Sequence, residues 1–501
     1  MAAADPDFDW HPEPSLVDFH DPSSRESLQL LGESTWRVAV DHLYGEAFVR
    51  PVGPSSYPEL RERVFGPSRR PAPAPTEPST SDEVLQDITQ RLLPYTYNAH
   101  HLRSFSYFTA PPLPVAVAGD VLASWLQQSV DVFHASPVGT LIDEEVTGWL
   151  RDLVGYDEAG WGVLTSGGVM ANLMAMTVAR DTALRRIRGL DRPPRGADLE
   201  GARVYVSDQA HFSIGRALDV LGFPSGTLHV VPSDDFRLQA EPVADAIAAD
   251  QAAGLVPFCI AAVAGSTNTG SIDALTDLAD LAEREQLWLH VDAAYGGAAR
   301  LSRRDAARVP GLERADSVTV DPHKWFFQPI DIGALLVRRR EDLRRSFLQT
   351  PEYYRSSTPE DEPLGWLEYS IEGTRRLRSL KLWASWRHLG TAGLGRLVET
   401  TNDLAAELNA LIAASPDFET VVPEPDLSVV CFRHLPGVAV SDDELDRHQD
   451  RLQRALEISG AAWVSTTRLH GRTWLRAGVM NYMSTGDDLV ALLDALRSVA
   501  S

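Results

Sequence analysis

Lysine is almost absent from this sequence. Lysine and arginine together occupy 46 of the 501 positions, but only Lys324 and Lys381 are lysines. An arginine guanidinium stays charged and does not act as an amine nucleophile, so a reaction that needs a neutral amine depends on one of these two residues. The scarcity itself is typical of GC-rich coding, so the residues around each lysine decide its role. Lys324 directly follows an apolar run, in Val320-Asp-Pro-His-Lys-Trp325, and is the stronger candidate.

Cysteine is equally scarce, and long apolar runs are missing. Cys259 and Cys431 lie in separate apolar segments, so neither a disulfide framework nor a cysteine-based metal site is indicated. No apolar run approaches the length of a membrane span, and the N-terminus lacks the basic and apolar regions of a secretion signal. We therefore expect a cytoplasmic protein with no membrane partner and no metal site.

Basic residues are also fewer than acidic residues. The chain has 70 acidic against 46 basic residues and a net charge of −24. A nucleic acid partner would require a basic face, so small molecules are the expected partners. With 44% apolar residues, a chain of this length predicts a globular protein of two or three domains.

The pattern of the chain predicts its organisation. Residues 67–81 are rich in proline and predict an extended strap between two helices, Ser27 to Val49 and Asp82 to Leu93. From about residue 115 to 345, amphipathic helices alternate with apolar strands, which is typical of an α/β fold with a doubly wound, mostly parallel sheet. The predicted strands are Ala202 to Val206, Leu228 to Val231, Phe258 to Ala264, Leu287 to Val291, Ser317 to Val320 and Gly333 to Val337.

The C-terminal part has the pattern of a small α+β domain. Its predicted elements are helices from Arg375 to Leu389 and Gly393 to Ser415, strands from Ser428 to Arg433 and Thr473 to Val479, and a helix from Gly486 to Val499. We therefore expect an N-terminal helical segment (1–113), a large domain (114–380) and the small domain (381–501).

Polar residues follow several of the predicted strands, and in such sheets ligands bind at the carboxyl ends of strands. Gly167 and Gly168 precede a long helix, whose first N–H groups favour a phosphate. His211, Asp292 and Lys324 each follow a strand. Each signal alone is weak, but an anion site, a ring that can stack, a carboxylate and an amine together favour a pyridoxal 5′-phosphate site. There the lysine forms a Schiff base and the carboxylate keeps the pyridine nitrogen protonated.

These segments resemble the pyridoxal phosphate-dependent group II decarboxylases, which include aromatic L-amino acid, histidine and glutamate decarboxylases; the aromatic branch is the most similar. The resemblance extends from about Leu30 to the C-terminus. Its segments are Ala135-Ser-Pro137, Ser207-Asp-Gln-Ala-His211, Trp288-Leu-His-Val-Asp-Ala-Ala-Tyr295, Pro322-His-Lys-Trp325, Arg375-Arg-Leu-Arg-Ser-Leu-Lys-Leu-Trp383 and Val430-Cys-Phe-Arg433. It implies an aminotransferase-like fold (fold type I) with a mostly parallel seven-stranded sheet. It also implies a homodimer, with the N-terminal segment in dimerisation and the active sites at the interface.

The resemblance implies a role for each site residue. Lys324 would carry the Schiff base, Asp292 would pair with the pyridine nitrogen, and His211 would stack over the ring. The remaining cofactor contacts would be Gly167, Gly168, Val169 and His323 at the phosphate, and Thr267 and Ala294 beside the ring.

Substrate contacts and the proton donor are further expectations. Tyr353 matches the tyrosine that protonates the substrate carbon in the family, and Tyr354 is an unlikely substitute. The surrounding segment, Gln349 to Gly365, is polar and contains prolines, which suits a lid, although a surface loop with a merely packed tyrosine is the alternative. Tyr107 and Phe108 could wall an aromatic pocket, but simple packing is also open.

Two positions depart from the family pattern. Asp321 replaces an asparagine that many relatives have, and a carboxylate there would repel phosphate, so we do not count it as a phosphate ligand. Val169 replaces a hydroxyl residue, which leaves only its backbone N–H to bind phosphate.

We expect decarboxylation of an L-amino acid, with an aromatic substrate favoured, to an amine and carbon dioxide. One alternative is an aldehyde synthase, which decarboxylates and oxidatively deaminates; retention of Tyr353 and His211 disfavours it. Another is a decarboxylase for an acidic or aliphatic substrate such as glutamate or diaminobutyrate. A catalytically silent scaffold is the third, and retention of Lys324 and Asp292 argues against it.

Overall fold

The computed structural model describes residues 22–45, 49–52, 56–348 and 365–500. The chain forms two compact units. The first comprises the chain up to Ser104 with Leu452–Trp463 and Leu492–Ser501, and the second comprises Phe105–Arg451 and Val464–Ala491. The three sequence domains, 1–113, 114–380 and 381–501, stay a prediction.

The N-terminal part of the first unit is helical. Its helices are α1 (Pro22–Tyr44), α2 (Tyr57–Phe65) and α3 (Ser81–Asp87), and α3 continues as a π-helical turn over Ile88–Leu92. Helix α3 begins at a capping box, because Thr80 Oγ1 accepts a hydrogen bond from the Glu83 N–H while the Glu83 carboxylate accepts one from the Thr80 N–H. Residues 66–80 form turns and extended chain, as their prolines predict.

A seven-stranded sheet forms the centre of the second unit. Its strands are β1 (Trp161–Thr165), β2 (Ala202–Ser207), β3 (Leu228–Val231), β4 (Val256–Val263), β5 (Trp288–Asp292), β6 (Ser317–Val320) and β7 (Gly333–Val337). The order is β1-β7-β6-β5-β4-β2-β3, and β7 is antiparallel to both of its neighbours while the other pairs are parallel. The expectation of a mostly parallel seven-stranded α/β sheet is confirmed.

Helices and a second sheet complete the described chain. The helices are α4 (Pro114–Leu126), α5 (Pro137–Val154), α6 (Gly168–Ala179, continuing through Arg180–Leu184 to Arg185–Arg188), α7 (Ser213–Val220), α8 (Ala240–Ala252), α9 (Leu275–Glu285), α10 (Pro322–Trp325), α11 (Arg340–Phe347), α12 (Ser379–Ala413), α13 (Asp442–Ser459) and α14 (Gly486–Ala500). The second sheet is antiparallel, in the order β10 (Ser465–Leu469), β11 (Arg472–Gly478), β9 (Val429–His434) and β8 (Phe418–Thr420).

Both faces of the large sheet are buried. Leu164, Tyr205 and Ile260 pack into the apolar cluster on one face, while the preceding residue of each strand packs into the cluster on the other. This alternation follows from the two-residue period of a strand, and a sheet covered on both sides needs strands that are apolar throughout. Among the residues described here, no helix is long and apolar enough to cross a membrane.

Candidate active site

The carboxyl ends of six strands, all except β7, lie at one edge of the large sheet. Strands β2, β4, β5 and β6 are parallel neighbours, and β1 has the same direction because the antiparallel β7 lies between it and β6. A cavity of about 400 Å³ opens at this edge, a size typical of cofactor and small-molecule sites. Ten of the predicted site residues line it: Phe108, Gly167, Gly168, Val169, His211, Thr267, Asp292, Ala294, His323 and Lys324.

Two predicted residues are not among those lining residues. Tyr107 is 57% exposed and does not line the cavity. Tyr353, like Tyr354, lies outside the described residues, so its role stays a prediction.

Lys324 lies on α10, a single helical turn that begins with Pro322 immediately after β6. Proline suits the first position of a helix because its ring presets φ and the N–H it lacks has no helical partner there. The Lys324 Nζ atom lies 3.1 Å from Asp321 Oδ2 and 6.0 Å from the centroid of the Phe108 ring. An amine is thus placed at the strand edge, beside a carboxylate and below an aromatic ring.

Asp292 is the last residue of β5 and is 7% exposed. Its Oδ2 accepts a 2.7 Å hydrogen bond from Asn172 Nδ2, and its Oδ1 accepts one of 3.1 Å from the Ala294 N–H. Hydrogen bonds donated to both oxygens hold this carboxylate in place. Such a carboxylate can pair with a protonated ring nitrogen.

Asn172 was not predicted, yet it connects Asp292 to the sheet. It lies in α6 and is 1% exposed. Its Oδ1 accepts hydrogen bonds from His290 Nε2 (3.0 Å) and Thr319 Oγ1 (2.7 Å), and its Nδ2 also donates to Ser213 Oγ (2.8 Å). Burial lowers the pKa of His290 to about 4, so its ring is neutral near pH 7. A lone amide in an otherwise apolar helix is the sequence signal that could have identified Asn172.

His211 lies in the turn between β2 and α7. Its Nδ1 is 2.8 Å from Ser213 Oγ, the same hydroxyl that accepts from Asn172. Burial lowers the pKa of His211, although the nearby Asp292 opposes this shift. The imidazole is therefore neutral near pH 7, and a neutral ring is suited to stack on a flat cofactor.

The first turn of α6 and His323 also line the cavity. Gly167 precedes this helix and Gly168 is its first residue, so the free N–H groups of the first turn lie there. His323 Nδ1 donates a 2.6 Å hydrogen bond to the Ile332 carbonyl. In the neutral ring Nε2 therefore carries no proton and can accept a hydrogen bond. Burial lowers the pKa of His323. The free N–H groups of the first turn of α6 suit an anionic group such as a phosphate.

Aromatic rings and a buried arginine surround Phe108, another lining residue of the cavity. The Phe108 ring lies 4.3 Å from that of Tyr295, which in turn lies 4.7 Å from that of Trp325. The Arg476 guanidinium, also not predicted, is 4.6 Å from the Phe108 ring centroid. It donates to the carbonyls of Thr267 (2.8 Å) and Ser106 (2.9 Å), and burial lowers its pKa. Arg476 thus fixes the loops that carry Thr267 and Phe108.

A larger cavity of about 630 Å³ lies away from these residues. It is lined by arginines such as Arg314 and Arg338, which pair with acidic residues including Asp280 and Asp316. The smaller cavity at the strand edge has the reactive groups, so we assign the active site there.

Comparison with known proteins agrees with this assignment. Residues 66–435 match the family model of the pyridoxal-dependent decarboxylase conserved domain. The chain is 32% identical over 479 residues to the aromatic-L-amino-acid decarboxylase of Bacillus atrophaeus, covering 95% of this chain and 96% of that protein. It is 29% identical to the L-2,4-diaminobutyrate decarboxylase of Acinetobacter baumannii, covering 87% and 86%. The structure of Oryza sativa TDC with PLP and tryptamine superposes with a TM-score of 0.87 at 27% identity, covering 96% of this chain and 99% of that one.

The cavity fits pyridoxal phosphate chemically. Its volume suits a cofactor of this size, the N–H groups of α6 suit the phosphate, and a buried, doubly hydrogen-bonded carboxylate at Asp292 suits a pyridinium. Lys324 supplies the amine that the cofactor's aldehyde requires. The chain therefore belongs to the pyridoxal-dependent decarboxylase family, and it is a pyridoxal phosphate-dependent amino acid decarboxylase.

Proposed function

We propose that this enzyme converts an aromatic L-amino acid to its amine and carbon dioxide. The observation that carries the proposal is the lining of the cavity, where Phe108 and Phe212 supply aromatic surface. Lys324 is the only lysine or arginine among the described lining residues, and it is needed for the cofactor. Arg476 and Arg216 contact the Phe108 and Phe212 rings but are not among the described lining residues. Besides Lys324, that lining therefore offers an acidic substrate side chain no lysine or arginine, whereas an aromatic ring would pack on the two phenylalanines.

Each site residue has a proposed role toward the cofactor. Lys324 attaches it covalently, Asp292 keeps its ring nitrogen protonated, and His211 stacks on its ring. The N–H groups at Gly168 and Val169 bind its phosphate. The remaining contacts are Gly167 and His323 at the phosphate and Thr267 and Ala294 beside the ring.

When bound, pyridoxal phosphate withdraws the electrons that remain on the substrate α-carbon after carbon dioxide leaves. The protein's part is to orient groups and move protons. Asn172 orients the Asp292 carboxylate, and the neutral imidazole of His211 adds no positive charge that would compete with the ring nitrogen. Lys324 would hold the cofactor between turnovers, and the substrate amine would displace it from the cofactor during the reaction. Tyr353 donates the proton that the α-carbon requires.

We also propose that two copies of the chain form a dimer. Helix α4 exposes Val121, Leu122, Trp125 and Leu126, each with 43–55% of its surface accessible. Their spacing places them on one face of the helix, and an apolar face of this kind is typical of an interaction surface. A second copy of the chain is the proposed occupant. Because both cysteines are free and buried, we further propose a reducing, cytoplasmic location.

A screen of all common L-amino acids tests the proposed substrate class. The purified enzyme with pyridoxal phosphate is incubated with each amino acid, and amine and carbon dioxide are quantified by mass spectrometry. We expect the highest kcat/KM for phenylalanine, tyrosine, tryptophan or dihydroxyphenylalanine. Preference for glutamate or diaminobutyrate would refute the aromatic assignment. Oxygen uptake equal to the carbon dioxide released would instead identify an aldehyde synthase.

A further inference from the structure

Asp321 is a buried carboxylate whose role is not explained by support of the fold. It precedes α10 and is 2% exposed. It stands in the position that would cap α10, but its side chain makes no capping hydrogen bond. Its Oδ1 has no hydrogen-bond partner within the described chain. A buried polar atom without a partner is destabilising, so its retention suggests a function.

The carboxylate is held against the proposed phosphate site. A Cβ atom added at Gly168 would lie 2.7 Å from Asp321 Oδ2, and one added at Gly333 would lie 2.7 Å from Oδ1. Gly168 begins α6, whose N–H groups are the proposed phosphate ligands. An ionised Asp321 beside that turn would repel a bound phosphate, and the repulsion would be strong in a buried site.

Lys324 is the cation closest to Asp321, with Nζ 3.1 Å from Oδ2. His323 Nε2 lies 3.8 Å from the same oxygen, but burial lowers the pKa of His323 and keeps it neutral near pH 7. His211 and Asp292 line the same cavity, and Lys381 contributes positive potential at His323. Among the described residues, Lys324 is thus the one ammonium group within hydrogen-bond distance of Asp321.

We propose that Asp321 accepts the Nζ proton of Lys324 when pyridoxal phosphate binds. This inference rests on the proposed role of Lys324. The proton moves from Nζ to Oδ2 and leaves a neutral amine. The amine nitrogen then forms a double bond to the aldehyde carbon, the carbon–oxygen double bond breaks, and the oxygen leaves as water with the two remaining amine hydrogens.

This single proton transfer has two effects. It makes Nζ nucleophilic, and it removes the negative charge of Asp321 from beside the phosphate. An asparagine at this position would not repel the phosphate, but it could not make Nζ nucleophilic, because it takes up no proton near pH 7. The carboxylate is thus a positioning and proton-accepting group for cofactor attachment.

The test is the rate of cofactor attachment to the unloaded enzyme, followed by visible absorbance from pH 6 to 8.5. We expect the wild-type rate to change little with pH. In Asp321→Asn the proton must leave to solvent, so the rate should rise by about tenfold per pH unit and be at least about tenfold below wild type at pH 6. Asp208→Asn, which removes an exposed carboxylate outside the cavity, is the matched control and should behave as wild type.

Two further measurements test the proton transfer to Asp321. Calorimetry in buffers of different ionisation enthalpy should show about one more proton released on loading by Asp321→Asn than by wild type. In Asp321→Ala, added formate should restore the rate and chloride should not. Variants that attach the cofactor as fast as wild type at every pH would refute the role of Asp321. Borohydride-fixed cofactor on Lys324→Ala would instead refute the attachment site itself.

Discussion

The hydrogen bonds of the Asn172 side chain should contribute strongly to the stability of the fold. Its amide makes four buried hydrogen bonds, three to the side chains of Ser213, His290 and Thr319 and one to the carboxylate of Asp292. Three neutral bonds at about 1 kcal/mol each and one charged bond at about 2 kcal/mol sum to about 5 kcal/mol. We therefore expect Asn172→Ala to lower the free energy of unfolding by about 5 kcal/mol, a large part of the roughly 5–15 kcal/mol that stabilises most proteins.

Asn409→Ala is the matched control. Asn409 is also a buried helical asparagine, but its side chain makes one hydrogen bond, from Nδ2 to the Pro423 carbonyl at 2.8 Å. The same atoms are deleted, so the expected loss is about 1 kcal/mol for the bond, plus a packing loss that both variants share.

The assay is urea unfolding of the unloaded protein, followed by far-UV circular dichroism. The two variants should differ by about 4 kcal/mol in the free energy of unfolding, if each hydrogen bond contributes as above. This difference measures the three extra hydrogen bonds of Asn172. Equal unfolding midpoints for Asn172→Ala and Asn409→Ala would show that these bonds add nothing. The reasoning that Asn172 holds Asp292 in place would then be wrong.

The remaining predictions concern single residues. Lys324→Ala should lose the visible cofactor band, whereas Lys381→Met should keep the band and lose about 3 kcal/mol of stability, because it removes the buried partner of an ion pair; loss of the band in Lys381→Met but not in Lys324→Ala would exchange their roles. His290 has a lowered pKa when folded, so the unfolded state binds its proton first and stability should fall as pH decreases from about 6.5 toward 4. A fall that is unchanged in His290→Asn would exclude this residue as the cause. Trp125→Glu should shift the mass measured by light scattering from dimer to monomer; an unchanged mass would refute the α4 interface. Tyr353→Phe should reduce kcat by about 10²–10⁴-fold with little change in KM, and unchanged kcat would exclude it as the proton donor.

Several strands were predictable because their sequence pattern is local. Ser317–Val320 and Gly333–Val337 agree with the structure at both ends, since short apolar runs end at polar residues there. Strand β1 was missed because Gly162 interrupts its short apolar run, and β10 because its residues Thr466 to Arg468 are polar. The two helices expected over 375–389 and 393–415 are present as the two parts of α12, which Gly390, with a φ of 64°, separates.

The candidate site was predictable only in part. His211, Asp292 and Lys324 each follow an apolar strand, and this position marks them in the sequence. Asn172 is marked in the sequence only as a lone amide in an apolar helical segment, and Arg476 lies inside a strand, where nothing in the spacing shows that it supports the site. Their importance comes from hydrogen bonds to residues more than 100 positions away in the chain.

The sequence by itself determined the chemistry of this protein. Two lysines, a strand-end aspartate and a glycine-rich helix start restrict the reactions that the side chains can perform, because these are properties of residue types and local spacing. Only the tertiary structure decided which groups meet. The reversed direction of β7 places Gly333 against Asp321, and Lys381 is fully buried beside Asp120 and does not line the active-site cavity. Such contacts depend on strand order and direction, which bring distant segments together and which local periodicity does not encode.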